Sequence, residues 1–248
     1  MSRLRELVRR TARPRPQAIG FGREAEPAQP AIVGVALVDG EAEAQAAVGA
    51  GAGALLYAGP TDGAARVVSA AGARPVGCVL AGATGDDADA LVEAGIDFLV
   101  FDDRLTEAAA VASPHLGRVP QLGEEVDEAS VRAIAMLEPD AALIEPPPVT
   151  TEGGRLSARA LATMRRRSAL LRAPLAIDAR DDSSVIEPGT LAAWRDSGAP
   201  ILIVASGRTE EAVLAVASVP PPPERERGRA DALLPGLPGW SGGEDDDD

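Results

Sequence analysis

Eight short apolar runs recur along the chain: "AIVGVALV" from Ala31, "ALLYAG" from Ala54, "PVGCVLAG" from Pro75, "DFLVFDD" from Asp97, "GRVPQLG" from Gly117, "AALIEPP" from Ala141, "APLAIDA" from Ala173 and "PILIVAS" from Pro200. They show little polar alternation, and such runs suit strands covered on both faces, the condition of a parallel sheet. Between them lie Ala-rich stretches with charges at helical spacing, from "GEAEAQAAVGAG" to "RLSARALATMRRRSALL" and "EEAVLAVASV". Several open on Asp, Thr or Ser and close at a glycine, as at Gly51, Gly72, Gly95 and Gly198, which are helix start and stop signals. Eight strand–helix units are the number that closes a (β/α)8 barrel, so an α/β TIM barrel is the expected architecture. An open doubly wound sheet is the alternative, and it requires no particular number of units. The fifth run is interrupted by Pro120 and Gln121 and reads as either a short strand or a connecting loop.

The repeat occupies residues 31–219. Residues 1–30 read as a short basic helix followed by a Pro-rich linker with "RPRPQ" and "EPAQP". Residues 220–248 begin Pro220-Pro221-Pro222-Pro223, carry "DALLPGLPGW" and end Glu244-Asp245-Asp246-Asp247-Asp248, a Pro-rich linker and a solvated acidic tail. Hydrophobic residues make up 46% of the chain and aromatics only 2%, so the core has to be built from Ala, Val, Leu and Ile.

All 24 basic residues are arginine. The absence of lysine excludes mechanisms that need a lysine Schiff base or a lysine general base. A formal net charge of −14 argues against a nucleic-acid partner, whose phosphates require a basic face. The one cysteine, Cys78, lies in an apolar run and reads as strand filler; it excludes an internal disulfide and fits a reducing compartment. No apolar run approaches the roughly 18 residues of a membrane span, and the N-terminus lacks the apolar core of a signal peptide. A soluble, cytoplasmic protein is the expectation. Leu4, Leu7, Val8 and Thr11 share one helical face among arginines. That pattern suits an anionic membrane surface, an acidic protein partner, or a helix plugging the bottom of the barrel.

Active sites of such barrels lie at the C-terminal ends of the strands. The residues at those positions are Asp39, Tyr57, Asp102 and Asp103, Gln121 and Glu124, Glu145, Asp178 and Arg180, and Ser206 and Arg208. Two carboxylates across a pocket can serve as general acid and base if burial separates their pKa values. Several together can instead hold Mg²⁺ through oxygen ligands. Capping of the following helices accounts for the same acids without any function. His115, in "SPHLG", falls before the fifth run and reads as a surface turn at the opposite end. There is no His/Cys cluster for zinc, no Ser–His pair of known spacing and no G-x-x-x-x-G-K phosphate loop, and no residue pattern names a cofactor.

In "ILIVASGRTEEAV", from Ile201, a strand runs through Ser206-Gly207-Arg208 into a helix. Backbone N–H groups at such a turn, with the helix dipole behind them and the guanidinium fork of Arg208 beside them, form a candidate phosphate site. The stretch resembles the last phosphate-binding strands of ribulose-phosphate-binding and histidine-biosynthesis barrels, which commonly read Ser-Gly-Gly or Gly-Ser-Gly there. "ALVDG", ending in Asp39-Gly40, resembles the first strand of the histidine-biosynthesis barrels, and the resemblance implies a catalytic Asp39. The seventh strand departs from that pattern: "IDARDDSS" has no glycine pair and carries Asp181 and Asp182, which repel phosphate.

The expected function is therefore a small-metabolite-binding barrel, a lysine-independent lyase or isomerase acting on a polar or phosphorylated substrate. Asp39 and Asp178 are the candidate acid and base, and Glu145 is a further catalytic candidate. Ser206, Gly207 and Arg208 are the candidate phosphate site, and no metal ligand is assigned. The rival is a barrel without catalysis that serves as a binding or scaffold subunit, and convergence of Asp39, Glu145 and Asp178 on an open mouth would separate the two.

Overall fold

The structure, a computed structural model, describes residues 2–12, 31–123, 125–146, 156–181 and 186–220. The Pro-rich linker of the N-terminal extension, the C-terminal tail and Glu124 lie outside the described residues.

Eight parallel strands close into a barrel in chain order: β1 (Val33–Val38), β2 (Ala54–Tyr57), β3 (Val76–Leu80), β4 (Phe98–Asp102), β5 (Gly117–Leu122), β6 (Ala142–Ile144), β7 (Leu175–Asp178) and β8 (Ile201–Ala205). Closure is made by β1 and β8, with Val33 opposite Ile201 and Leu37 opposite Ala205. The open doubly wound alternative is thereby excluded. The fifth run is a strand of six residues. Pro120 is tolerated because it shares the backbone phase of Arg118, whose carbonyl accepts from Asp140 on the β6 side. Its missing N–H therefore faces β6, and the pairing with β6 involves only Gln121 and Leu122.

Helices α2 (Glu41–Gly49), α3 (Ala64–Ala71), α4 (Gly85–Glu93), α5 (Ala108–Ala112), α6 (Glu128–Ala135), α7 (Ala158–Leu171), α8 (Pro188–Asp196) and α9 (Thr209–Ala217) follow the strands. Their starts are local. Thr84 and Asp87 form a reciprocal capping box on α4, while Asp127 and Ser157 cap α6 and α7 by accepting from Ser130 N and Ala160 N. Their stops are local too: Gly51, Gly72, Gly95 and Gly198 all have positive φ, which only glycine adopts without strain.

Two apolar layers between strands and helices, and a third inside the barrel, bury the core. As the composition requires, aliphatic residues and alanines dominate all three. Burial of each Leu or Ile side chain contributes about 1.5–3 kcal/mol. Inside the barrel, Gly77 leaves the room that the Phe98 ring fills; a Cβ there would lie 2.1 Å from the ring.

Helix α1 (Arg3–Thr11) lies across the N-terminal end of the barrel. Leu4 and Val8 join the interior cluster with Val33, Phe98, Val119 and Ile201. The Asp97 carboxylate, just before β4, accepts from the backbone N–H groups of Arg3 and Leu4 at 2.8 and 2.9 Å. Asp140, just before β6, accepts from Arg5 at 3.3 Å. Two buried aspartates at the barrel floor thus hold the helix whose apolar face closes it.

Candidate functional site

Strand alternation decides which residues reach the mouth. Val33, Val35, Ala54, Leu56, Phe98 and Val100 belong to the interior cluster, whereas Ala36, Val38, Leu55, Tyr57, Leu99 and Phe101 pack toward the helices. On the same count, Val119, Leu143, Ala176 and Ile203 point inward. Continuing by two residues toward the C-terminal ends puts Asp102, Gln121, Glu145 and Asp178 on the inward phase of β4, β5, β6 and β7. On the other half of the rim, the inward phase carries Leu37, Val79 and Ala205, all partly buried. The mouth therefore has a polar half on four neighbouring strands, and a half on β8, β1 and β3 that is apolar except for Asp39, one inward step beyond Leu37.

Tyr57 is a correction. It ends β2 but is outward, 2% exposed, with its hydroxyl donating to Pro60 O at 2.8 Å. Gly59 and Gly63 leave the space for its ring, since a Cβ at Gly63 would come 2.2 Å from the hydroxyl. Burial pushes its pKa up.

The acids differ in what already holds them. Asp102 Oδ1 accepts from Arg104 N at 2.8 Å and Leu105 N at 3.1 Å, so it fixes the turn that follows its strand. Asp103 is exposed beside it. Asp178 is chelated by Arg180, whose Nε donates to Oδ1 at 2.6 Å and whose Nη2 pairs with Oδ2. That hydrogen bond is the main cause of the raised pKa of Arg180. A carboxylate with both oxygens held by a guanidinium has its lone pairs already engaged and is not open to a substrate. Glu145 is exposed and makes no hydrogen bond or ion pair with any described residue. Asp39 is exposed at the entrance to α2, and its backbone N–H donates to Glu43 at 3.2 Å.

The three catalytic candidates come from two parts of the rim. Glu145 and Asp178 end neighbouring strands, but β8 separates β7 from the strand that leads to Asp39. Among the described residues, no group of three His, Cys, Asp or Glu side chains could hold a metal ion.

Ser206-Gly207-Arg208 forms one turn of 3-10 helix leading into α9. Ser206 O accepts from Thr209 Oγ1 at 2.8 Å, which ties the turn to the helix start. Arg208 Nε donates to Glu211 at 3.2 Å along the helix surface. The Nε edge of the guanidinium is thus engaged along α9, and Asp181, exposed after β7, adds negative charge to the rim. Cys78 is fully buried against the helices, and desolvation pushes its thiol up to about 12. It is strand filler. His115 is exposed at the barrel floor, where it borders a cavity of about 210 Å³ with Ser2, Arg5, Arg118 and Asp140.

No family model matches the chain, and no curated protein sequence matches it. Solved structures do resemble it. Dihydropteroate synthase from Xanthomonas albilineans superposes with a TM-score of 0.54 at 17% identity, covering 75% of this chain and 90% of that one. A mutant tryptophan synthase α-subunit from Pyrococcus furiosus gives 0.57 at 13% identity over 78% and 98%. Tryptophan synthase from Mycobacterium tuberculosis gives 0.58 at 14% identity over 87% and 98%. The chain is a (β/α)8 barrel. At these identities the likeness shows the fold alone, and it does not single out the ribulose-phosphate-binding or histidine-biosynthesis barrels. Among the described residues, no helix is long and apolar enough to cross a membrane.

Proposed function

We propose that the chain binds a small polar metabolite at the C-terminal mouth of its barrel, against the polar half of the rim. The observation that carries this reading is the placement of Asp102, Gln121, Glu145 and Asp178 on the inward phase of four consecutive strands, facing an apolar half. A pocket with one apolar side and a few convergent polar groups is the usual form of a small-molecule site. The acids favour a ligand that presents hydrogen-bond donors, with the remaining donors of Arg180 available to a carbonyl or carboxylate.

Within that site the reading retains lysine-independent acid–base chemistry of the lyase or isomerase kind. Glu145, without a partner among the described residues, is the group best placed to move a proton. Asp178 acts as a positioning residue through Arg180, and Asp39 serves from the apolar side. A phosphorylated substrate would require Arg208 to leave Glu211.

One observation favours a second reading, a barrel that binds without catalysis. The ion pairs Asp178–Arg180 and Arg208–Glu211 spend mouth and rim charges on each other rather than on a substrate.

Ligand-observed NMR tests the site. A panel of small metabolites bearing amino, amide, carboxylate or phosphate groups is titrated against the wild type and the Gln121→Leu/Glu145→Leu variant. Binding that is lost in the variant is expected. If no member binds, or if binding survives the double change, the mouth reading fails and the scaffold reading replaces it.

A further inference from the structure

We propose that the solvent face of α7 is a docking surface for a carboxylate-rich segment of another polypeptide. The helix and its C-cap carry Arg159, Arg165, Arg166, Arg167 and Arg172, and no acidic residue occurs between Leu156 and Pro174. This happens in a chain whose net charge is −14. Ala160, Met164 and Leu171 are buried. Arg159, Ala162, Thr163, Arg165, Arg166 and Arg172 are exposed, so the outer face consists of arginines separated by small side chains.

The pairing pattern sets this face apart from the other basic helix. On α1, Arg3 pairs with Asp97, Arg5 with Asp140 and Arg10 with Glu6. On α7, Arg159, Arg165 and Arg172 make no ion pair with any described residue. Arg166 shows what the face accepts: it pairs with one oxygen of Glu128 on α6, while the other oxygen takes Arg132 at 3.2 Å. A carboxylate is thus already seated between two arginines at the edge of the patch.

Spacing indicates how a partner would bind. Arg159 and Arg166 are seven residues apart, about 10.5 Å along the axis at 1.5 Å per residue. In a polyproline II peptide, with three residues per turn and about 3.1 Å rise per residue, acids three positions apart share one face and are separated by about 9.3 Å. A segment with acids at every third position therefore matches the row.

Other polyanions fit less well. The face offers no aromatic side chain on which bases could stack, and no large apolar side chain to insert into a membrane. The acidic excess elsewhere on the chain opposes a long phosphate backbone, whereas a short acidic segment need touch only the patch.

Fluorescence anisotropy with a labelled peptide repeating Glu-Pro-Pro, which holds its acids on one face of a polyproline II helix, added to the full chain at low salt, tests the proposal. Saturable binding that fades with added salt is expected. The Arg159→Gln/Arg165→Gln/Arg172→Gln variant should bind at least about tenfold more weakly at an unchanged melting temperature. The corresponding triple lysine variant keeps the charge and should retain most of the binding, and it decides the matter if the glutamine variant does not fold. Absence of saturable binding, or equal binding by the glutamine variant, overturns the proposal. So does stronger arginine-dependent binding of a labelled single-stranded oligonucleotide or of phosphatidylserine vesicles. Peptide binding that emerges only after deletion of residues 224–248 would assign the face to the chain's own Glu244–Asp248 and overturn docking in trans.

Discussion

The carboxylate of Asp97 accepts the backbone N–H of Leu4 at 2.9 Å, joining residues 93 positions apart in the chain. With Arg3 N on its other oxygen, Asp97 serves as a borrowed N-terminal cap for α1. Asp97→Ala should lower unfolding free energy by about 0.5–2 kcal/mol, the range for lost helix caps. Leu4→Ala should cost about 2–5 kcal/mol, as a truncation in a packed interior. Urea denaturation measures both, and wild-type midpoints in the two variants would show that α1 does not dock in solution.

Gly77 and Phe98 fill one volume inside the barrel between them. Gly77→Ala pushes a methyl into the ring, an overpacking that should destabilise by about 1–3 kcal/mol. Adding Phe98→Leu should recover part of that loss. The comparison is a thermal melt of the three chains, and the absence of any penalty in Gly77→Ala would contradict the inward placement of Phe98.

The Arg208–Glu211 pair bears directly on the phosphate candidate Ser206-Gly207-Arg208. Because the Glu211 end of the pair is exposed while the Arg208 side chain is only 21% exposed, Arg208→Ala should cost no more than about 1 kcal/mol. Millimolar inorganic phosphate should shift the melting curve of the wild type little, and Glu211→Gln, which removes the Nε partner of Arg208, should enlarge the shift. A large phosphate-dependent rise in the wild type that disappears in Arg208→Ala would instead establish the turn as a phosphate grip.

Acid should weaken two helix caps. Hydrogen bonds from Thr84 and from Ser130 hold the carboxyls of Asp87 and Asp127 below their ordinary values. A depressed folded pKa means that stabilisation is complete above the unfolded value, near pH ~3.9, and is lost as pH falls through the folded values. The advantage of wild type over Asp87→Asn and Asp127→Asn should therefore be constant near neutrality and shrink below about pH 4. Melting temperature against pH checks this, and an advantage that grew on acidification would reverse the assignment.

Much of the architecture was legible without coordinates because its signals are local. The apolar runs mark seven strands outright and leave the fifth, interrupted by Pro120, open between strand and loop, and the glycines at positions 51, 72, 95 and 198 end helices through their own backbone preference. The count of units selects closure. Asp127 and Ser157 announce their helices by chemistry that spans three residues. Tertiary structure decided whatever depends on phase and on distance. A strand that is apolar on both faces carries no mark of which face turns inward, so only closure of the barrel could send Tyr57 outward and put Gln121 on the rim. Only folding could bring Asp97 and Asp140 beneath α1, since those contacts cross 93 and 135 residues. The pairing of Asp178 with Arg180 rather than with a substrate, and of Arg208 with Glu211, was likewise settled by side-chain geometry. Composition can list such charges; their partners follow from where a closed barrel leaves each one within reach of another.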